Sequence, residues 1–202
     1  MHKENMTMFE TEIAKYKSLN QLAESDGIVI FGGAEDVNIP LGELKQAFAL
    51  SDNIYNRSIA GLSAIDAARV YDACAKELCP ETVLLHIGDA DVTNFNGNEA
   101  AFEEDFRTLI KAIRSKGKLP RIVVVSLKNY ENDAAIAELN ECLAALADTE
   151  KCEFEDISAK RIRNTKESRE IASFLYEIGF DQPLKIKRPI YNLVRILFCY
   201  EG

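Results

Sequence analysis

The stretch that most constrains this chain is Gly27-Ile28-Val29-Ile30-Phe31-Gly32-Gly33-Ala34-Glu35-Asp36. An apolar run of strand length, rich in β-branched and aromatic side chains, ends in two glycines and, one alanine later, two acids. A run with no polar face reads as a strand buried on both sides. The Gly-Gly-Ala turn lets backbone approach something closely at the strand's carboxyl end. In open α/β sheets that is the end where ligands bind.

The rest of the chain repeats the theme. Asn53–Asn56, Thr82–Ile87, Arg121–Leu127 and Cys152–Ile157 read as four more strands. Between them lie amphipathic stretches at helical spacing. One starts at Pro40 and runs through Leu50. Another carries Ala67, Val70, Tyr71, Cys74 and Leu78, opened by a capping pair of Ser63 and Asp66 and stopped at Cys79-Pro80. Phe102, Phe106, Leu109, Ile110 and Ile113 define the next, and Ile136, Leu139, Leu143 and Leu146 the last. Strands alternating with helices, each strand too apolar for a one-sided sheet, predict a three-layer α/β/α sandwich around a five-stranded parallel sheet. Residues 1–202 read as one domain, with an opening helix over about 5–24 and a helical extension over about 185–202.

Composition narrows the partners. A formal charge of −9 works against nucleic-acid binding, which needs a cationic surface. The first twenty residues lack the apolar stretch of a leader, and no run approaches the ~20 apolar residues of a membrane span. Five cysteines (Cys74, Cys79, Cys142, Cys152 and Cys199) contain no C-x-x-C pair. Their odd number predicts reduced thiols packed as small apolar residues, and a cytoplasmic protein. Lys185 to Pro189 form a basic approach to Ile190, Leu193, Val194 and Leu197 on one helical face. That face is expected either to dock on the sheet or the N-terminal helix, or to meet a membrane surface, a protein partner or a second copy of the chain.

The strand ends carry a further signal. From about residue 27 to residue 180 the chain resembles the GDSL, or SGNH, hydrolase superfamily. That resemblance implies a flavodoxin-like sandwich and an esterase ancestry. Ile30-Phe31-Gly32-Gly33-Ala34 stands where the family has Gly-Asp-Ser, so Ala34 takes the nucleophile's place. Asn56 to Gly61 matches the second block and keeps Gly61 as an oxyanion-hole position. Gly88-Asp89-Ala90-Asp91 matches Gly-x-Asn-Asp, with Ala90 in place of the oxyanion-hole asparagine. Arg161 and Asn164 align with the Asp and His before the last helix.

Serine-type acyl transfer needs an oxygen nucleophile, a base and oxyanion donors. Ala34 cannot attack a carbonyl. The chain's histidines are His2 and His86, and neither lies before the final helix. His86, inside an apolar strand, reads as a packed, hydrogen-bonded core histidine. Ser58, Ser63 and Ser126 have no histidine in a plausible place, and Lys128 reads as a solvated strand-end lysine. The first expectation is therefore a non-catalytic, ligand-binding or regulatory relative of the esterases. Its site would be Gly33, Ala34, Glu35, Gly61, Asp89 and Asp91, holding a small acyl or carbohydrate ligand without metal or cofactor. The alternative is an active hydrolase in which Glu35, Asp36, Asp89 and Asp91 work as an acid–base set or with a metal ion. Against it stands the simpler reading of these acids as solvated, with Asp91 bonding backbone to hold its turn.

Overall fold

A computed structural model describes residues 2–115, 119–159, 162–163 and 190–201. Its centre is a five-stranded, all-parallel sheet in the order β2-β1-β3-β4-β5. The strands are β1 (Ile28–Gly32), β2 (Ile54–Asn56), β3 (Thr82–His86), β4 (Arg121–Val125) and β5 (Glu153–Glu155). The helices are α1 (His2–Asn20), α2 (Leu41–Ala47), α3 (Ala64–Cys74), α4 (Val92–Phe95), α5 (Glu99–Arg114), α6 (Ala134–Thr149) and α7 (Ile190–Phe198). A pair of short parallel strands, β6 (Ile162–Arg163) and β7 (Tyr200–Glu201), lies outside the main sheet. The expected helix over 167–178, Lys185 to Pro189, and the positions of Arg161 and Asn164 lie outside the described residues.

Period-two alternation sorts the strand residues into two cores. Val29 and Phe31 of β1, Val83 and Leu85 of β3, and Ile122 and Val124 of β4 face α3, α5 and α6. Ile30, Leu84, Val123 and Val125 face the opposite way, toward α2 and α7. Both faces of the sheet are thus covered, as the uninterrupted apolar runs require. The α1 helix packs outside α3 through Phe9, Ile13 and Tyr16. It is fastened to the end of β2 by polar bonds. The Tyr16 hydroxyl donates to the Ser58 carbonyl at 2.6 Å. Arg57, buried between the Tyr16 and Tyr55 rings, donates through Nε and Nη2 to Asn20 Oδ1 at 2.9 and 2.7 Å.

Three sequence expectations change in detail. The helix after Pro40 stops at Ala47 rather than Leu50, with Ala49 left-handed at φ 47°. The Ser63 side chain makes no capping bond although its backbone occupies the cap position of α3. The short α4 follows β3 unannounced by any periodicity, being a single turn. None of the five cysteines is in a disulfide. Cys74 and Cys199 are buried as expected, Cys142 and Cys152 are partly covered, and Cys79 is exposed. No helix among the described residues is long and apolar enough to cross a membrane.

The C-terminal helix resolves toward docking on the sheet. Ile190, Leu193, Val194, Ile196, Leu197 and Phe198 of α7 are buried in the second core, while Tyr191 stays exposed. The face expected for a partner or dimer mate is occupied by the chain's own strands. Leu193→Ala is accordingly expected to lower unfolding stability by about 2–5 kcal/mol, as for other buried leucines, measured by urea denaturation of the full chain.

Candidate functional site

The site grows from the register of the three central strands. Gly32 at the end of β1 pairs with His86 at the end of β3. On its other side the Ile59 amide donates to the Gly32 carbonyl at 3.1 Å, continuing the ladder that pairs Ile30 with Asn56. Ser58 therefore stands opposite Gly32, and Ser58, Gly32 and His86 form one row across the sheet. Side chains opposite one another share a face, so Ser58 and His86 flank a residue with no side chain.

What fills the gap is Asp36. After Gly33 the chain enters a 3-10 turn, Ala34–Asp36, which folds back over the strand end. A Cβ on Gly32 would land inside the Asp36 carboxylate. That carboxylate meets His86 Nδ1 at 2.9 and 3.0 Å through its two oxygens. Both side chains are 3% exposed, and the Phe198 ring meets the imidazole edge-on at 5.1 Å. The Asn56 amide donates to the Asp36 carbonyl at 2.6 Å and fixes the turn from β2. Asp36 is thus a buried partner and not the solvated acid of the simpler reading, whereas His86 sits as expected. Burial alone would lower the imidazole pKa, but Asp36, with Glu35 and Asp89 behind it, raises it above the ordinary histidine value.

Gly33 serves a second acid in the same way. A Cβ there would land inside the Asp89 carboxylate. Asp89 Oδ2 accepts from the Ala34 amide at 2.8 Å, while Oδ1 is buried with no partner among the described residues. Burial pushes the Asp89 carboxyl above the usual aspartate range, with the Ala34 and Ala90 amides pulling the other way. The Ala34 amide is therefore turned onto a carboxylate of the chain itself.

Asp91 binds elsewhere. It accepts from the Ala64 amide at 3.0 Å and so caps α3 from the neighbouring loop. A charged acceptor makes a stronger bond than a hydroxyl, which accounts for the unused Ser63 side chain. Burial raises the Asp91 carboxyl to about 6. Gly61 sits in a left-handed turn at φ +73°, its missing Cβ facing open space. Glu35 is exposed and pairs with Lys128 at 3.4 Å across the end of β4.

Of the residues expected to form the site, the structure brings Gly33, Ala34 and Asp89 into direct contact. Glu35 and Gly61 are at the solvent-facing rim, and Asp91 is committed to α3. What was missed is the burial of Asp36, named above only as one of four candidate acids, and its bond to His86. A signal for it was present: a strand histidine in the same row as a glycine, with an acid four residues after that glycine. Among the described residues no group of three His, Cys, Asp or Glu side chains is arranged to hold a metal ion.

Comparison with solved structures places the fold. A putative platelet activating factor from Streptococcus pneumonia superposes with a TM-score of 0.65 and 19% identity, over 81% of this chain and 80% of that one. A GDSL-like lipase from Bacteroides thetaiotaomicron gives 0.56 and 16%, covering 85% and 98%. The acetylxylan esterase Axe2 from Geobacillus stearothermophilus gives 0.54 and 16%, covering 81% and 99%. No family model matches the chain, and no curated protein matches it. The fold is that of the SGNH, or GDSL, hydrolases.

The Asp91 cap yields a pH prediction. Its folded-state value lies above that of an unfolded aspartate, so the folded chain holds this proton more tightly. Its contribution to stability should fall as pH rises from about 4 to about 6. Asp91→Asn keeps an acceptor for the Ala64 amide and removes the titration. Urea midpoints of this variant are expected to show a flatter pH profile across that window than the parent.

Proposed function

We propose that this protein is a non-catalytic member of the SGNH architecture that binds a small ligand at the rim of a former esterase site. The observation that carries the reading is the Asp89 carboxylate on the Ala34 amide. In a working acyl-transfer site a backbone donor of this kind waits for the oxyanion of the tetrahedral intermediate. Here it is satisfied by a negatively charged group of the chain itself, at a position that also has no nucleophile. A second anion developing beside Asp89 would be repelled rather than stabilised.

The same carboxylate bears on the ligand. An acidic group disfavours free carboxylic acids, whereas neutral hydroxyls can donate to exposed acceptors. A carbohydrate, acetylated or not, is therefore the better fit to a rim of Ala34, Glu35 and Gly61 than a fatty acid. The competing reading, a hydrolase running on carboxylates or a metal, finds less support. Asp36 is tied to His86, Asp89 to the Ala34 amide and Asp91 to the Ala64 amide.

The test is hydrolysis of p-nitrophenyl acetate. The protein is expected to release p-nitrophenolate no faster than buffer does, and Ala34→Ser alone should not restore turnover, because the His86 imidazole is buried in the fold and bonded to Asp36. Turnover by the parent chain that disappears on substituting Glu35 or Asp89 would overturn the reading in favour of the carboxylate enzyme.

A further inference from the structure

The row Ser58, Gly32, His86 has no part in the ligand-binding reading, yet it holds the most confined charged contact described in the fold. Asp36 and His86 are each sealed from water, and His86 Nε2 and Ser58 Oγ are buried without partners among the described residues. We propose that Asp36 and His86 form a buried carboxylate–imidazolium pair that acts as a pH-sensitive fastening, holding the turn after β1 and the C-terminal helix against the sheet edge.

The geometry supports each half of this statement. The pair is bidentate on the carboxylate side, at 2.9 and 3.0 Å, so one imidazole N–H is shared between two oxygens. The carboxylate fills the space that a side chain at Gly32 would need. The turn carrying Asp36 begins at Ala34, whose amide is the donor to Asp89, so the fastening and the candidate site share three consecutive residues. From the other side, Phe198 closes the pocket around the ring. Releasing the pair would therefore loosen both the turn and the last turn of α7.

The surrounding charges favour the imidazolium. Among the described residues the ring is faced by Asp36 and Glu35 from the 3-10 turn and by Asp89 from the loop after β3. The polar neighbours from the end of β2 are uncharged: Asn56, which fixes the turn, and Ser58, which shares the row. From α7 it is faced by the apolar Phe198, and the charged residue of that helix, Arg195, is exposed. Lys128 is engaged by Glu35. The nearby acids raise the histidine pKa against the burial that lowers it.

The direction of the pH effect follows from that sign. The folded-state value is above the unfolded one of about 6.5, so the stabilisation is complete below about pH 6.5. It is lost as pH rises through the folded-state value. Above it, the neutral imidazole still donates Nδ1–H to Asp36, but the buried carboxylate is left without its counter-charge. Removing one partner of a buried pair is among the costlier changes a core can suffer.

Nitrogen-detected NMR of the imidazole tests the charge directly. The chain has one other histidine, His2, so His2→Gln leaves a single ring to assign. At about pH 6.5, where a free imidazole is half protonated, the His86 ring is expected to be mostly protonated, with both nitrogens carrying protons. A ring that is mostly neutral at that pH, with one protonated nitrogen, would overturn the proposal.

Amide exchange on the full chain then tests the fastening. After correction for intrinsic chemistry, protection at Ala34–Val37 and Leu193–Phe198 should drop as pH passes the His86 titration. The drop should approach, and cannot exceed, about tenfold per unit that the folded-state value is raised. His86→Gln should show no such step. Protection that stays flat in the parent through the titration, or an equal step in a folded His86→Gln variant, would also overturn it. The NMR measurement uses the native residue and stands even if that variant fails to fold.

Discussion

At Gly32 and Gly33 the space of two absent side chains is taken by two carboxylates. Asp36 packs over the first and Asp89 over the second. An alanine at either place would drive its methyl group into the carboxylate packed there. The turn after β1, the loop after β3 and the Ala34 amide that joins them depend on this double substitution of carboxylate for side chain. It also reassigns the glycines. They admit parts of the chain itself, not a substrate approaching the backbone.

That packing sets the shape of the strand ends. Asp36 pulls the turn after β1 back onto the sheet and binds His86. Asp89 bridges to the Ala34 amide, and Asp91, two residues on, caps α3. The loops that in a hydrolase would converge on substrate converge on one another. The electrostatics follow from the same arrangement. Burial raises the Asp89 and Asp91 carboxyls, while the concentrated negative charge raises His86.

The sequence carried most of the fold. Uninterrupted apolar strands separated by amphipathic stretches specify a parallel sheet covered on both faces, and all five strands lie within a residue or two of where periodicity predicts them. Periodicity is blind to the single-turn α4 and to the choice of cap for α3, where Asp91 outcompetes the local Ser63. The site was half legible. Ala34 and Ala90, where the family resemblance expects a serine and an asparagine, can be read in one dimension. The burial of Asp36 does not show there, because an acid two residues past a strand-end turn is ordinarily solvated. Only the register that sets Gly32 beside His86 turns it inward.

The most direct test is a double-mutant cycle between Gly33 and Asp89 in urea denaturation. If the carboxylate occupies the space of the missing side chain, Gly33→Ala should destabilise the parent by more than about 1–3 kcal/mol, the usual range for overpacking. In an Asp89→Ala background most of that penalty should vanish, because the methyl group then enters vacated space. The resulting coupling would sit well above the ~0.5 kcal/mol expected of independent sites. Additive effects of the two substitutions would contradict the account, since they would mean that Gly33 is required for a reason unconnected with the acid packed against it.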